Sequence, residues 1–195
     1  MSGNFRERHG LIDLPIIRNR RERHKMAVVR PGDNEQDEEQ LEEYDGGKDN
    51  RGEVEEEDDD GGDEKGGRGA PKAGKAALTE WRVVRTWTIG GKGKGKGQGE
   101  TYTLLEVLLH TGRTHQIRVH LASTQHPIVG DALYTRKAAR QRHGASQLQL
   151  LARQLTIAHP KSGKVLSFEA PYPAHMVDFI QSLDERARRD SDEEL

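Results

Sequence analysis

The amino-acid sequence predicts an α+β fold, in which a mixed, mostly antiparallel sheet carries packed helices. Three observations indicate this class. Apolar and polar residues alternate along several segments with the period of two that half-buried strands require. One later segment has an apolar stripe with helical spacing instead. The connections between these segments contain the Gly and Pro residues of tight turns.

Each element follows from its local pattern. Two short apolar groups near the N-terminus are predicted as edge-like extended pieces, because one holds a proline and the other is brief. A long hairpin follows, with Trp81, Val83 and Trp87 expected on one strand face and a Lys/Gly repeat at 90–99 as its tip. The predicted strands are 11–17, 26–29, 79–87, 102–109, 150–158 and 165–170, and the predicted helices are 114–122 and 174–189.

The charge of the chain is segregated, although the formal net charge is only −2. Between Asp33 and Glu64 there are 18 acidic residues against Lys48 and Arg51. The remainder carries 29 Lys/Arg and 15 Asp/Glu, a net of +14, which favours a polyanion such as nucleic acid as partner. A well-solvated basic surface is the alternative.

The acidic, Gly-rich stretch 33–73 has almost no apolar residues, so disorder is predicted there. It could also bind basic proteins. The chain has no cysteine, which excludes disulfides and thiolate chemistry, and we see neither a secretory signal nor a membrane-spanning apolar run. We therefore expect a soluble intracellular protein with no membrane partner; its compartment is not predicted.

The segment from His110 to Leu121 contains the residues with the clearest chemical roles. As a helix it would place Thr114, Ile117, Arg118 and Leu121 on one face, and a guanidinium on an apolar face needs a carboxylate or phosphate partner. A structural ion pair and an anion or active site remain equally open from this pattern.

The segment contains an arginine at the helix start and three histidines. Arg113, at the helix start, is a candidate phosphate contact, with a solvated terminal arginine as the alternative. The histidines at 110, 115 and 120 step by five, whereas two helical metal ligands need a spacing of three or four, so no metal site is predicted.

The run Thr111-Gly112-Arg113-Thr114-His115-Gln116-Ile117-Arg118-Val119-His120 resembles a signature of RluA-type pseudouridine synthases. Later blocks are similar to that family too, namely 127–131 with Tyr134, 155–160 and 168–171, as are 10–16, 25–28 and 74–81 upstream. The resemblance implies an RNA-modifying isomerase that uses no cofactor or metal and acts on rRNA or tRNA. It also implies a division into an N-terminal piece 1–32, an acidic insertion 33–73, a C-terminal half-domain 74–184 and a charged tail 185–195.

The resemblance assigns site residues as well. It implies that Arg118 pairs with the catalytic aspartate, that Leu150 lines the pocket, and that Arg113, Thr114, His115 and Gln116 contact RNA. The block His-Arg-Leu-Asp that carries this aspartate in the family is not found in the 195 residues. We therefore expect a chain that holds half of the catalytic domain and is inactive alone. The competing hypotheses are a non-catalytic RNA-binding module and an interaction protein that acts through its acidic segment.

Overall fold

The computed structural model describes residues 3, 5–30, 74–90, 99–137, 139 and 144–192. The acidic segment 33–73 and most of the Lys/Gly tip lie outside these residues. The elements that position the site are, in chain order, β1 (His9–Asp13), β2 (Ile16–Arg18), β3 (Met26–Val28), β4 (Leu78–Ile89), β5 (Glu100–Leu109), α1 (Gln116–Ser123), β6 (Gln154–Ala158), β7 (Val165–Glu169) and α2 (Ala174–Asp192). The predicted α+β class is confirmed.

The strands form one sheet and two hairpins. The sheet has the order β1-β4-β5, with Gly10 opposite Trp81 and Trp81 opposite Val107. The short strands β2 and β3 pair with each other, and so do β6 and β7. All of these pairings are antiparallel. The two apolar groups near the N-terminus are extended, as predicted.

A bulge at Val84 divides the long strand β4 into two parts. Val83 pairs with Leu105 and Arg85 pairs with Leu104, so Val84 is the extra residue. Because neighbouring residues of β5 point to opposite faces, the bulge places Trp87 on the face opposite to Trp81. The prediction that Trp81, Val83 and Trp87 share a face was therefore wrong for Trp87.

Three apolar clusters form the core of the described residues, and each joins a different set of elements. The first contains Trp87, Ile89, Tyr102, Val129 and Leu183; the second contains Ile12, Trp81, Leu121 and Ile128; the third contains Ile16, Ala77, Val119 and Tyr134. The first cluster attaches α2 to the sheet, while the other two attach α1. The helices therefore cover different parts of the sheet.

Helix α2 docks through the apolar stripe that the sequence predicted. Met176 and Leu183 are buried, and Phe179 and Ile180 pack against the first cluster. Asp184 accepts a hydrogen bond of 2.7 Å from the Trp87 indole, and this bond holds the pKa of its carboxyl below the ordinary value.

Strand β6 begins four residues later than predicted. The preceding segment runs beside the loop at 128–130, where Gln149 N donates to Val129 O at 2.9 Å. The approach is close at Gly130, because a Cβ there would lie 1.9 Å from the Gln147 carbonyl oxygen. With φ at +77°, Gly130 also has the backbone conformation that glycine adopts most readily. Leu150 therefore belongs to an irregular segment and not to a strand.

The hairpin of β6 and β7 has one apolar face. In its register Leu155 lies opposite Phe168 and Ile157 lies opposite Leu166, so these four side chains share that face. Three of them are largely uncovered, with 57% of Leu155, 54% of Phe168 and 42% of Ile157 exposed.

None of the helices in the described ranges is long and apolar enough to cross a membrane.

Candidate functional site

The turn before α1 is held by the buried side chain of Gln116. Its Oε1 accepts hydrogen bonds from the Thr111 hydroxyl (2.8 Å) and from Arg113 N (3.0 Å). Its Nε2 donates to Leu78 O (3.1 Å) and to Thr79 Oγ1 (3.0 Å). These four bonds use the full hydrogen-bonding capacity of the amide. Gln116 therefore fixes the turn to β4, and its expected contact with RNA stays a prediction.

The network continues to a buried histidine one turn along the helix. The Thr79 hydroxyl lies 2.8 Å from His120 Nδ1, and His120 Nε2 lies 2.9 Å from Leu14 O. Since a carbonyl only accepts, Nε2 carries the proton and Nδ1 accepts from Thr79. Burial lowers the pKa of His120, because it disfavours the charged imidazolium. His120 is thus a neutral structural residue.

His115 occupies the N-cap position of α1 with left-handed backbone angles, φ 53° and ψ 19°. Such angles are uncommon for residues other than glycine and cost on the order of 1–3 kcal/mol. The surrounding structure compensates, because His115 Nδ1 lies 3.0 Å from the Tyr134 hydroxyl and the two rings meet edge to face. The same hydroxyl accepts a hydrogen bond of 2.8 Å from Met26 N at the start of β3.

Arg118 makes a side-on, bidentate pair with Asp131. Its Nε donates to Oδ2 and its Nη2 to Oδ1, each at 2.9 Å. The ring of Tyr134 packs against the guanidinium, with its centroid 5.2 Å from Cζ. Asp131 is fully buried, whereas 17% of the Arg118 side chain remains exposed. Arg118 therefore has an internal carboxylate partner, while its expected pairing with the family's catalytic aspartate stays a prediction.

The pair is electrostatically well matched. Burial alone would raise the pKa of Asp131, but the hydrogen bonds and charge of Arg118 outweigh it, and backbone N–H donors at Leu133 (2.9 Å) and Tyr134 (3.1 Å) add to the effect. The net pKa lies below the ordinary value, so Asp131 stays ionised. The opposite edge of the guanidinium, at Nη1, makes no hydrogen bond to the described residues. Arg118 is therefore pre-oriented and can still bind a second anion.

The predicted helix face is correct only in part, because Ile117 and Leu121 share the second apolar cluster whereas Thr114 lies outside the helix. Thr114 precedes the helix and is exposed, while Val119 and His120 are buried against β4 and the N-terminal strands. The helix starts later than predicted because the turn takes up Thr114 and the left-handed His115. Arg118 lies beside this buried face, at the boundary with solvent.

The structure places the other predicted site residues around the same helix start. Arg113 is exposed, with Nε donating to Ala76 O at 3.1 Å and its Nη atoms making no hydrogen bond to the described residues. Leu150 is half-buried against the second cluster, which includes Leu121 of α1. Their roles toward RNA and the base remain proposals.

The structure adds Tyr134 to this site, although the sequence pattern assigns it no role there. Tyr134 contacts both His115 and Arg118, although 16 or more residues separate it from them in sequence. The signal available in the sequence was the turn Gly130-Asp131, three residues before the tyrosine. An aspartate in a turn commonly accepts backbone N–H bonds just downstream, which brings Tyr134 next to its carboxylate.

A family model described as RNA pseudouridylate synthase matches residues 14–123, which is more than half of the chain. That match includes β2 to β5 and the whole of α1. The chain belongs to the RNA pseudouridylate synthase family. The family resemblance drawn from the motif is confirmed.

Curated family relatives are similar over much of this chain. An uncharacterized RNA pseudouridine synthase of Synechocystis is 32% identical over 184 residues, 94% of this chain and 40% of the relative. Another uncharacterized RNA pseudouridine synthase, from Chloroflexus aurantiacus, is 41% identical over 58% of this chain and 32% of its own length. The ribosomal large subunit pseudouridine synthase D of Nitrosomonas europaea is 37% identical over 56% of this chain and 30% of its own length.

A solved family structure has the same fold. Human RNA pseudouridylate synthase domain containing 1 aligns with a TM-score of 0.53 at 20% identity, covering 94% of this chain and 62% of the human chain. At this identity the comparison supports the fold alone. The chain spans between 30% and 40% of the length of these curated relatives.

Proposed function

We propose that this chain contributes the arginine side of an active site that isomerises uridine to pseudouridine in RNA, with rRNA or tRNA as substrate. The nucleophilic aspartate would come from a polypeptide segment outside these 195 residues. The observation that carries the proposal is Arg118, held on one edge by Asp131 and available for an anion on the other.

The guanidinium is suited to pair with a second carboxylate. A fork with five donors can bind two carboxylates at once, and side-on pairing with Asp131 uses only two of the five N–H groups. Because Asp131 and Tyr134 fix its orientation, little rotamer entropy is lost when the nucleophile arrives. Arg118 would then keep the catalytic aspartate ionised and in place, since a nearby cation favours the charged form.

The apolar face of the β6–β7 hairpin supports the need for a further segment. A two-stranded hairpin is marginally stable by itself, and exposed contiguous apolar surface marks an interaction site. Leu155, Ile157 and Phe168 would be covered by the part of the family domain that carries the nucleophile. On this proposal 33–73 is an insertion between two parts of the half-domain.

The reaction requires no external oxidant or reductant. The bond between N1 and C1′ breaks, the uracil turns, a bond between C5 and C1′ forms, C5 loses its proton and N1 gains one. The family's aspartate acts as nucleophile toward the nucleoside and leaves again, so the enzyme is regenerated. Positioning of the reactants lowers the activation barrier by roughly 7–11 kcal/mol in favourable cases, so an aspartate elsewhere in this chain would not replace the family's nucleophile.

Loss of the C5 proton provides the test. The full chain is incubated with rRNA or tRNA that carries tritium at C5 of uridine, with and without a polypeptide containing the family's His-Arg-Leu-Asp block. We expect no tritium release by this chain alone and release by the mixture. Turnover by this chain alone would overturn the proposal of a missing nucleophile, and the first residue to substitute would be Asp131. A mixture that binds RNA but releases nothing would overturn the assigned half-site.

A further inference from the structure

Tyr134 connects three separate parts of the candidate site. The residue is 7% exposed, and its ring lies in the third apolar cluster. Its hydroxyl accepts a hydrogen bond of 2.8 Å from Met26 N at the start of β3 and lies 3.0 Å from His115 Nδ1. The centroid of its ring lies 5.2 Å from Arg118 Cζ. One side chain thus contacts a strand, the N-cap of α1 and the guanidinium of Arg118.

The hydroxyl of Tyr134 bridges β3 and the N-cap of α1. Met26 N can only donate, so the hydroxyl accepts there and its own proton is left for a second partner. Among the contacts of this hydroxyl with the described residues, His115 Nδ1 is the atom that accepts the proton. Burial raises the pKa of Tyr134, so the hydroxyl keeps this proton at neutral pH.

The N-cap residue determines how α1 begins. His115 has left-handed backbone angles, which persist in residues other than glycine where neighbouring contacts hold them. Arg118 is the third residue of the helix and therefore projects from its first turn. A change in the backbone of His115 would re-aim the Arg118 side chain.

The ring of Tyr134 restrains the Arg118 guanidinium in a way that Asp131 does not. The bidentate pair fixes which edge of the guanidinium faces Asp131. Two planar groups joined at one edge can still rotate about the line between them, and an aromatic ring against the guanidinium opposes that rotation. The N–H groups at Nη1 turn with the same rotation, so the ring sets the plane in which Arg118 can receive a second carboxylate.

We infer that Tyr134 is a positioning residue of the arginine site, with separate roles for its ring and its hydroxyl. The ring fixes the plane of the Arg118 guanidinium, and the hydroxyl fixes the turn from which α1 begins. The inference rests on the proposed function, because the orientation of Arg118 matters to the reaction only if a nucleophilic aspartate binds there.

The test measures kcat and KM for tritium release from C5-labelled RNA, using the full chain and a saturating amount of the polypeptide with the His-Arg-Leu-Asp block. Tyr134→Leu removes the ring and should lower kcat about 100-fold, the effect of a small misplacement at a reacting centre. Tyr134→Phe removes only the hydroxyl and should lower kcat about 5-fold, as the loss of one hydrogen bond does. KM for RNA should stay unchanged in both variants, because the lost restraint acts in the transition state.

Tyr102→Phe is the matched control, because Tyr102 is also a buried tyrosine with an arginine against its ring. Its hydroxyl donates to Glu100 at 2.7 Å, and its ring centroid lies 5.8 Å from Arg186 Cζ in the part of the sheet that α2 covers. This variant should keep the wild-type kcat and KM. Rates are compared under conditions where urea unfolding shows each variant to be folded, so a purely structural role of Tyr134 would leave kcat unchanged.

A second measurement requires neither RNA nor the nucleophile. The Nε–H of Arg118 donates to Asp131, so its exchange with solvent, followed by NMR, reports how firmly the guanidinium is held. Exchange should be about 10-fold faster in Tyr134→Leu, because a restraint on local opening is lost, and unchanged in Tyr134→Phe and Tyr102→Phe.

The outcomes separate the inference from the proposed function. A fall in kcat at constant KM, larger in Tyr134→Leu than in Tyr134→Phe and absent in the control, supports the inference. Wild-type kcat in both Tyr134 variants, or a change in KM alone, would overturn it. If Tyr134→Leu does not fold, Tyr134→Phe decides, because it keeps the ring. A wild-type mixture that releases no tritium would overturn the proposed function, and the exchange rate of Arg118 Nε–H would then decide whether Tyr134 positions the guanidinium.

Discussion

Replacing Arg118 with Ala should strongly destabilise the chain. The substitution removes two charge-assisted hydrogen bonds and leaves the fully buried Asp131 carboxylate without its cation. Breaking a buried ion pair in this way typically costs 3–5 kcal/mol. Because Asp131 keeps the N–H donors of Leu133 and Tyr134, we expect the low end, about 3 kcal/mol. That corresponds to a fall in melting temperature of roughly 6–12 °C.

Urea unfolding of the full chain measures this cost, with Arg82→Ala as control. Arg82 pairs with Glu106 on the surface, where both side chains are more than half exposed, so its loss should cost no more than about 1 kcal/mol. Adding Asp131→Asn to Arg118→Ala should recover about 2 kcal/mol, because no unpaired charge is then buried. If Arg118→Ala were as mild as Arg82→Ala, the buried pair would contribute little and our account of Asp131 would be refuted.

Three further predictions concern the rest of the chain. The free energy of unfolding should fall as the pH drops below about 6.5, because His120 has a lowered pKa in the folded state and protonation therefore favours the unfolded chain. Urea unfolding at pH 7.5 and 5.5 should show this loss of stability. The pH dependence of stability should weaken in His120→Gln. Leu155→Ser/Phe168→Ser should reduce aggregation, measured by light scattering, without lowering stability, since both side chains are over half exposed. A loss of several kcal/mol in the free energy of unfolding would mean that the apolar face of the β6–β7 hairpin is covered within the chain. Deleting 33–73 should tighten RNA binding at low salt and steepen its salt dependence, because 18 carboxylates compete with RNA for the basic body; unchanged affinity would refute this competition.

Much of the fold follows from local pattern. The alternation in β4 and β5, the short N-terminal strands and the apolar stripe of α2 are all visible in the sequence because each depends on residues close together in the chain. The bulge at Val84 is different. Alternation continues past it in the sequence, and only the pairing with Leu104 and Leu105 shows that Trp87 has changed face. Register between strands is a tertiary property that a single-strand pattern does not contain.

The candidate site was predictable in its location but not in its contacts. An arginine beside apolar helix positions indicated the need for a carboxylate or phosphate partner. No local pattern identifies Asp131 as the partner of Arg118, because the two residues are 13 positions apart and an irregular loop brings them together. Gln116 lies in a motif of polar residues of the kind usually exposed, yet its side-chain amide makes all of its hydrogen bonds to β4 and to the turn before α1. The pocket role of Leu150 and the RNA contacts of Arg113, Thr114, His115 and Gln116 stay predictions.

The most direct test of the account measures tritium release by the complemented mixture with Arg118→Lys in place of the wild-type chain. Lysine keeps a positive charge near Asp131, but its ammonium group cannot make a two-point contact with that carboxylate and hold a second carboxylate in a fixed orientation. We predict that the rate falls by about 100-fold, the usual effect of a small misplacement at a reacting centre. Lys161→Gln, on the turn between β6 and β7, should leave the rate unchanged. Equal rates for Arg118→Lys and wild type would contradict the assignment of Arg118 to the active site.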